Sequence, residues 1–350
     1  MFYFIVNTSG GRGRGKKAWR DVSGILKELE IPHHAYKTKY PGHAAKIATE
    51  ILRRFGGTGE PIRLVVVGGD GTINEVLNGI TDFEKVWLGV IPTGSGNDFV
   101  RGHKLPKKAV PALFQILTCE KPDRVDLGCV SADGGSPRLF GISSGIGMDA
   151  EVCRKVQKSM RKSILNKIGL GKLIYLQLTV ESLFTMKTYG GRVIYDGDPE
   201  SVLRVRQLIF LAGMNTRWEG GGVPMAPKAV VTDGKISTCV ADNIPRWRTF
   251  FELPILVVGK QKWLKGFTLR DGRTVDIEME QPVVLHIDGE DGGDVRQIHM
   301  EALPGRLLLM KSGNSCACKF GCCGSGSSCG FGGESESECS CGTSTCCCVK

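Results

Sequence analysis

The sequence predicts an α/β domain built on a parallel sheet, followed by a mostly antiparallel β domain, and three observations carry that expectation. Short β-branched-rich runs, Ile62 to Val67 and Trp87 to Ile91, end in glycine loops and alternate with helical patterns, as the parallel strands of βαβ units do. From Asp123 onward the strand-like runs lie closer together, separated by Gly and Asp turns, as in antiparallel sheets. After Lys311 the composition collapses to Gly, Ser, Cys and Glu, too poor in apolar side chains to offset the entropy of ordering a chain. The expected division is an α/β domain over 1–122, a β-rich domain over 123–311 whose last strand is free to return to the first domain, and a disordered tail over 312–350.

In chain order, the first third reads as a strand at Phe2 to Val6, a helix near Lys17 to Leu29, a strand near His33 to Tyr36 and a helix near His43 to Phe55. In the second part the expected strands are Val193 to Asp196, Leu203 to Ala212, Lys235 to Val240, Thr274 to Met279 and Pro282 to Ile287. Helices are expected at Met148 to Lys158, Leu165 to Leu183 and Arg246 to Val258.

The 350 residues are 41% hydrophobic and 23% charged, enough to bury the cores of two domains. The net charge of +10 favours an anionic partner, and nucleic acid, membrane and nucleotide all qualify. Nucleic acid is the weakest of these, because aromatic and basic residues are not interleaved. Charged or amide residues interrupt every long apolar run, which argues against a transmembrane helix, and the opening strand lacks the features of a secretory signal. A cytoplasmic protein is expected. Of 14 cysteines, ten lie between Cys316 and Cys348, so the body reads as reduced rather than disulfide-stapled.

The sharpest local feature is Val65-Val66-Val67-Gly68-Gly69-Asp70-Gly71-Thr72-Ile73-Asn74-Glu75, a buried strand turning through glycines into a helix. Thr72 and Glu75 have capping-box spacing. The helix start offers amides to a phosphate, and a carboxylate inside such a loop implies Mg²⁺ between Asp70 and the polyphosphate. The bland alternative is a tight turn with Asp70 as its cap. A second loop, Pro92-Thr93-Gly94-Ser95-Gly96-Asn97-Asp98, and a third, Asn7 to Gly13, leave strands at the same sheet edge, where open α/β sheets bind ligands. Gly10 to Lys17 also matches most of a P-loop, but Lys17 stands where Ser or Thr would hold magnesium.

These two loops, GGDGTINE and PTGSGND, resemble those of the diacylglycerol kinase catalytic family, which includes bacterial and plant-type diacylglycerol and sphingoid-base lipid kinases. The resemblance runs over about Phe2 to Met310. It implies an N-terminal NAD kinase-like, Rossmann-like domain and a C-terminal β-sandwich with ATP between them. It carries ATP-binding roles onto Asn7, Ser9, Gly10, Thr38, Gly68, Gly69, Asp70, Gly71, Thr72, Asn74, Glu75 and Ser95. It also implies a structural cation at Val230, Asp233 and Lys235, for which an Asp-Gly turn between strands is the alternative.

Four carboxylates crowd Asp288-Gly289-Glu290-Asp291-Gly292-Gly293-Asp294 after an expected strand. A calcium loop would need Glu where His299 stands. The family keeps an Asp-Gly-Glu here, so Asp288 or Glu290 is the expected general base for an attacking hydroxyl. From Val152 to Val180 seven cations and no acid accompany apolar residues, fitting either a membrane-resting segment or a solvated basic face. Cys346, Cys347 and Cys348 are candidates for palmitoylation.

The reading is a peripherally membrane-associated, ATP- and Mg²⁺-dependent lipid kinase acting on a lipid substrate at a membrane surface. Diacylglycerol is the first acceptor and a sphingoid base the second. The alternatives are an NAD kinase-like enzyme with a soluble acceptor and a non-catalytic lipid- or nucleotide-binding regulator.

Overall fold

The computed structural model describes residues 1–57, 59–162 and 187–311. The expected helix Leu165 to Leu183, most of the basic segment from Val152 to Val180 and the cysteine-rich tail lie outside the described residues.

The N-terminal part alternates strand and helix: β1 (Phe2–Val6), α1 (Arg14–Glu28), β2 (His33–Lys37), α2 (His43–Phe55), β3 (Ile62–Gly68), α3 (Asp70–Gly79) and β4 (Val86–Pro92), then α4 (Asp98–Gly102) and α5 (Ala109–Leu117). Its four strands are parallel in the order β4-β3-β1-β2. Strand β3 is apolar almost throughout because both of its faces are covered. Leu64 and Val66 pack with Ile47, Ile51 and Leu77 of α2 and α3, while Val65 and Val67 pack with Val22, Leu26 and Leu113 of α1 and α5.

The second part comprises β5 (Asp123–Ala132), β6 (Arg138–Phe140), β7 (Ser143–Gly147), α6 (Met148–Lys162), β8 (Tyr189–Tyr195), β9 (Val202–Met214), β10 (Ile236–Asp242), α7 (Arg246–Val257), β11 (Phe267–Gly272), β12 (Thr274–Ile287) and β13 (Glu290–Leu309). Its strands pair antiparallel around a core that includes Phe140, Leu208, Ile277 and Met300. All 13 strands among the described residues belong to one hydrogen-bonded sheet, because the end of β13 lies parallel to β4, Leu308 beside Trp87 and Leu309 beside Leu88.

Three expectations change. The strands expected at Thr274 to Met279 and Pro282 to Ile287 are one strand, β12, with a register shift between Glu278 and Val283. The crowd of acids is not one turn. Only Asp288 and Gly289 turn, at φ 48° and 80°, the left-handed pair that a two-residue hairpin requires, and Asp291 and Asp294 lie within β13, where both bind Arg154. The capping box also fails, because α3 starts at Asp70 and places Thr72 and Glu75 inside the helix, where their side chains bond elsewhere. Cys119, Cys129 and Cys239 are buried thiols, in keeping with a body not held by disulfides. Among the described residues no helix is long and apolar enough to cross a membrane.

Candidate active site

Three loops meet at the C-terminal edge of the parallel strands. Asn7 fixes the first: its Oδ1 accepts from the amides of Ser9 and Gly10 at 3.1 and 2.9 Å, and its Nδ2 donates to Thr72 Oγ1 at 2.9 Å. The second and third loops touch backbone to backbone, since a Cβ on Gly69 would lie 2.9 Å from Gly94 Cα, and Gly68 O accepts from Thr93 N at 2.9 Å. No side chain fits between them, which is the physical reason for glycine at these positions. Gly71 opens α3 beside Asp70, and Ser95 lies exposed on the PTGSGND loop. Thr38 follows β2, its amide donating to Val6 O at 3.0 Å, at the same edge. Lys16 is exposed on α1, and Gly10–Gly13 forms a 3-10 turn.

Two residues expected at the nucleotide have protein partners. Asn74 Nδ2 donates to Asp288 Oδ2 at 2.8 Å and to Leu139 O at 3.0 Å, joining α3 to the second part of the chain. Glu75 Oε2 accepts from Ala44 N at 3.0 Å, at the start of α2.

Asp70 accepts only long bonds, from Asp98 N and Phe99 N at 3.2 Å each. Burial, and then the Asp98 charge, push its pKa up to about 6. Asp98 is buried, forms an ion pair with Arg101 and accepts from Gly221 N at 2.6 Å. That amide belongs to Gly220-Gly221-Gly222, three consecutive residues at φ 61°, 86° and 119° that only glycine adopts readily. The run brings the second part of the chain onto the PTGSGND loop.

The hairpin tip between β12 and β13 reaches the same place. Asp288 accepts from Gly141 N, Ile142 N, Ser143 N and Asn74 Nδ2 at 2.8 to 3.0 Å, and burial is the main influence raising its pKa. Those four donors occupy about the full acceptor capacity of a carboxylate. Glu290 is exposed, and its Oε1 comes to 3.4 Å from where a Cβ on Gly71 would lie. A carboxylate is thus set at the first turn of α3, 219 residues away in sequence.

Behind the tip, His286 Nε2 lies 2.9 Å from Asp149 Oδ2 and 3.2 Å from Glu219 Oε1. Gly289 N donates to His286 Nδ1 at 3.3 Å, so the ring proton sits on Nε2, between the carboxylates. Burial, and then the Asp149 charge, push Glu219 up to about 8. Asp149, Glu219 and His286 thus form a largely buried acid–imidazole–acid cluster whose ligand atoms lie within 4.8 Å of one another, close enough to share a proton or to hold a metal ion. The expected cation loop is elsewhere, after β9. There Asp233 Oδ1 accepts from Lys235 N at 3.1 Å, and Gly234 N donates to Asp126 Oδ2 at 2.7 Å. Val230 is exposed on the same loop.

A model of the diacylglycerol kinase catalytic domain matches residues 1–130, and one of the YegS C-terminal NAD kinase beta sandwich-like domain matches residues 142–311. The N-terminal part of the chain is thus a diacylglycerol kinase catalytic domain, followed by a domain of the YegS C-terminal kind. The protein is a lipid kinase, a phosphotransferase whose acceptor is an alcohol group. A diacylglycerol kinase of Staphylococcus saprophyticus is 27% identical over 308 residues, covering 88% of this chain and 92% of the relative. One of Mycobacterium tuberculosis is 26% identical over 307 residues, covering 88% and 94%. The crystal structure of a diacylglycerol kinase from Bacillus anthracis shares the fold, with a TM-score of 0.63 at 20% identity over 89% of this chain and 96% of that one.

Sequence reasoning on this lipid kinase passed over Asp98 as a site residue, and also Arg101, Asp149, Glu219 and His286. Glu219-Gly220-Gly221-Gly222 does carry a glycine-loop signal. It follows an antiparallel strand, however, where no rule places a ligand.

Proposed function

We propose that the protein transfers the γ-phosphate of ATP to the hydroxyl of diacylglycerol, with Glu290 as general base. The observation that carries this reading is the approach of the Glu290 carboxylate to Gly71 at the start of α3. The N-terminus of that helix favours a phosphate, so the base would stand where an acceptor hydroxyl must meet the γ-phosphate. The hydroxyl oxygen attacks phosphorus, its proton passes to Glu290, and the bond to the ADP oxygen breaks. Asp288 serves as a positioning residue, because its oxygens are already engaged and it locks Asn74 and the 141–143 backbone together.

Asp70 fits a role beside Mg²⁺. Asp70, Asp98 and Asp288 lie close enough to raise the Asp70 pKa, and a divalent cation would relieve that repulsion. When bound, the ion would neutralise charge on the phosphates. Asn7, Ser9, Gly10, Thr38, Gly68, Gly69, Gly71, Thr72 and Ser95 would form the nucleotide cradle. The carbonyls of Val230 and Lys235 with Asp233 would form a second, structural cation site. Diacylglycerol is favoured because the relatives carry that name. A sphingoid base is second, through the likeness of Gly94-Ser95-Gly96-Asn97 to sphingosine kinases.

The test is transfer of labelled γ-phosphate from Mg-ATP to diacylglycerol, monoacylglycerol, sphingosine, ceramide and NAD. Labelled diacylglycerol, lost in Glu290→Gln, is the expected result. Label on sphingosine alone would change the acceptor. Label on NAD alone would overturn the reading.

A further inference from the structure

Helix α7 inverts the usual amphipathic arrangement. Glu252 and Leu256 face inward at 7% and 8% exposure, with Glu252 Oε1 accepting from Arg248 Nε at 2.6 Å, while Trp247, Phe251 and Val258 stand outward at 67%, 68% and 63%. The spacing i, i+4 puts Trp247 and Phe251 on one side of the helix, and Val258, its C-cap, follows. Trp263, on the 3-10 turn that follows, is 77% exposed, and Val257 is also exposed.

The turn is held in place rather than loose. Gln261 is fully buried, and its Nε2 donates to Pro224 O and Met225 O at 2.8 and 2.7 Å. Soluble surfaces rarely present two tryptophans, a phenylalanine and two valines so close together.

The charges around this face are one-sided. Between Pro245 and Gly266 the sequence has five cations, Arg246, Arg248, Lys260, Lys262 and Lys265, against the single acid Glu252, which is buried and paired. The three lysines are exposed, and Lys262 Nζ lies 5.3 Å from the centre of the Trp263 ring. Amphipathic tryptophans with lysines beside them match the boundary between headgroups and acyl chains, where the ring enters the apolar layer and the ammonium stays with anionic headgroups.

We infer that the outward face of α7 and the turn carrying Trp263 dock this protein on an anionic lipid bilayer. The choice of a bilayer as occupant rests on the lipid-kinase function. The docking face lies outside the basic segment from Val152 to Val180 and does not involve the site residues.

The full-length protein is tested without nucleotide by co-sedimentation with vesicles of phosphatidylglycerol and phosphatidylcholine, and with phosphatidylcholine alone. The same proteins are assayed for phosphoryl transfer to a dispersed short-chain diacylglycerol. The triple variant Trp247→Ala, Phe251→Ala, Trp263→Ala is expected to bind anionic vesicles ~10-fold or more weakly and to lose the blue shift of tryptophan emission, with short-chain transfer retained. Lys260→Gln, Lys262→Gln and Lys265→Gln are each expected to weaken binding about fivefold at low salt.

Wild-type binding by the triple variant overturns the inference. So does equal binding of the wild type to neutral and anionic vesicles, or a wild-type dimer in sedimentation velocity that the triple substitution dissolves, since a second copy would then be the occupant. Loss of transfer to every lipid alongside normal vesicle binding would instead overturn the kinase reading and support docking.

Discussion

Asp70, at the first turn of α3 after the N-terminal glycine loop, and Asp288, at the β12–β13 hairpin tip, both accept from backbone amides, and they are equipped for different work. Asp70 has two long bonds, while Asp288 has four of normal length, one from a side chain on the other part of the chain. A carboxylate with spare acceptor capacity can engage a ligand, whereas a saturated one holds structure together. Residue type and the glycine that follows are alike in the two regions; the number of donors each has collected separates them.

The largest effect should come from Asp70→Ala. Phosphoryl transfer is expected to fall on the order of 10³-fold, measured as kcat at saturating ATP, while the far-ultraviolet circular dichroism stays native. Second is Glu290→Gln, at the exposed end of the same tip, with a loss of about 10²-fold in kcat and little change in melting temperature. Asp288→Asn should show the opposite balance. Asparagine tolerates the left-handed turn but sets an amide against N–H donors, so stability is expected to fall by about 3 kcal/mol in urea titration. The activity of the folded fraction should change less than in Glu290→Gln; a larger fall in kcat with unchanged stability would reverse the roles of the two acids.

A smaller effect sharpens the comparison through pH. His103, which caps α4 after the PTGSGND loop, is wholly buried against Phe99, and burial and then the Lys311 charge press its pKa down to about 3. Below pH 6.5 the unfolded chain takes up a proton that the folded chain refuses, so stability is present at neutral pH and declines as pH falls from 6.5 towards 3. The expected loss is about 2 kcal/mol by pH 5, from 1.36 kcal/mol per pKa unit. His103→Leu should flatten that dependence, measured as melting temperature at pH 7.5 and 5.

The parallel half was legible because its signals are local. Ile62 to Val67 and Trp87 to Ile91 read as doubly buried strands, and the glycines after them, with Asp70, marked the ligand edge before any contact was known. The second half was harder. The opening of β13, Glu290 to Asp294, reads as part of a turn because it is polar and glycine-rich, and it becomes strand only through pairing with β12. Thr72 and Glu75 illustrate the same limit at short range, since capping-box spacing was present and both side chains found better partners in Asn7 and Ala44.

By itself the sequence determined the order of elements and the three glycine loops, because strand periodicity and turn chemistry are set by neighbouring residues, and its family resemblance named the pair of candidate bases. Only the tertiary structure decided that Glu290 reaches Gly71 while Asp288 is consumed by Asn74 and the 141–143 backbone, and that α7 turns its aromatic side outward. Those outcomes depend on which distant donors and surfaces compete for each side chain, and that competition is resolved only when the whole sheet closes.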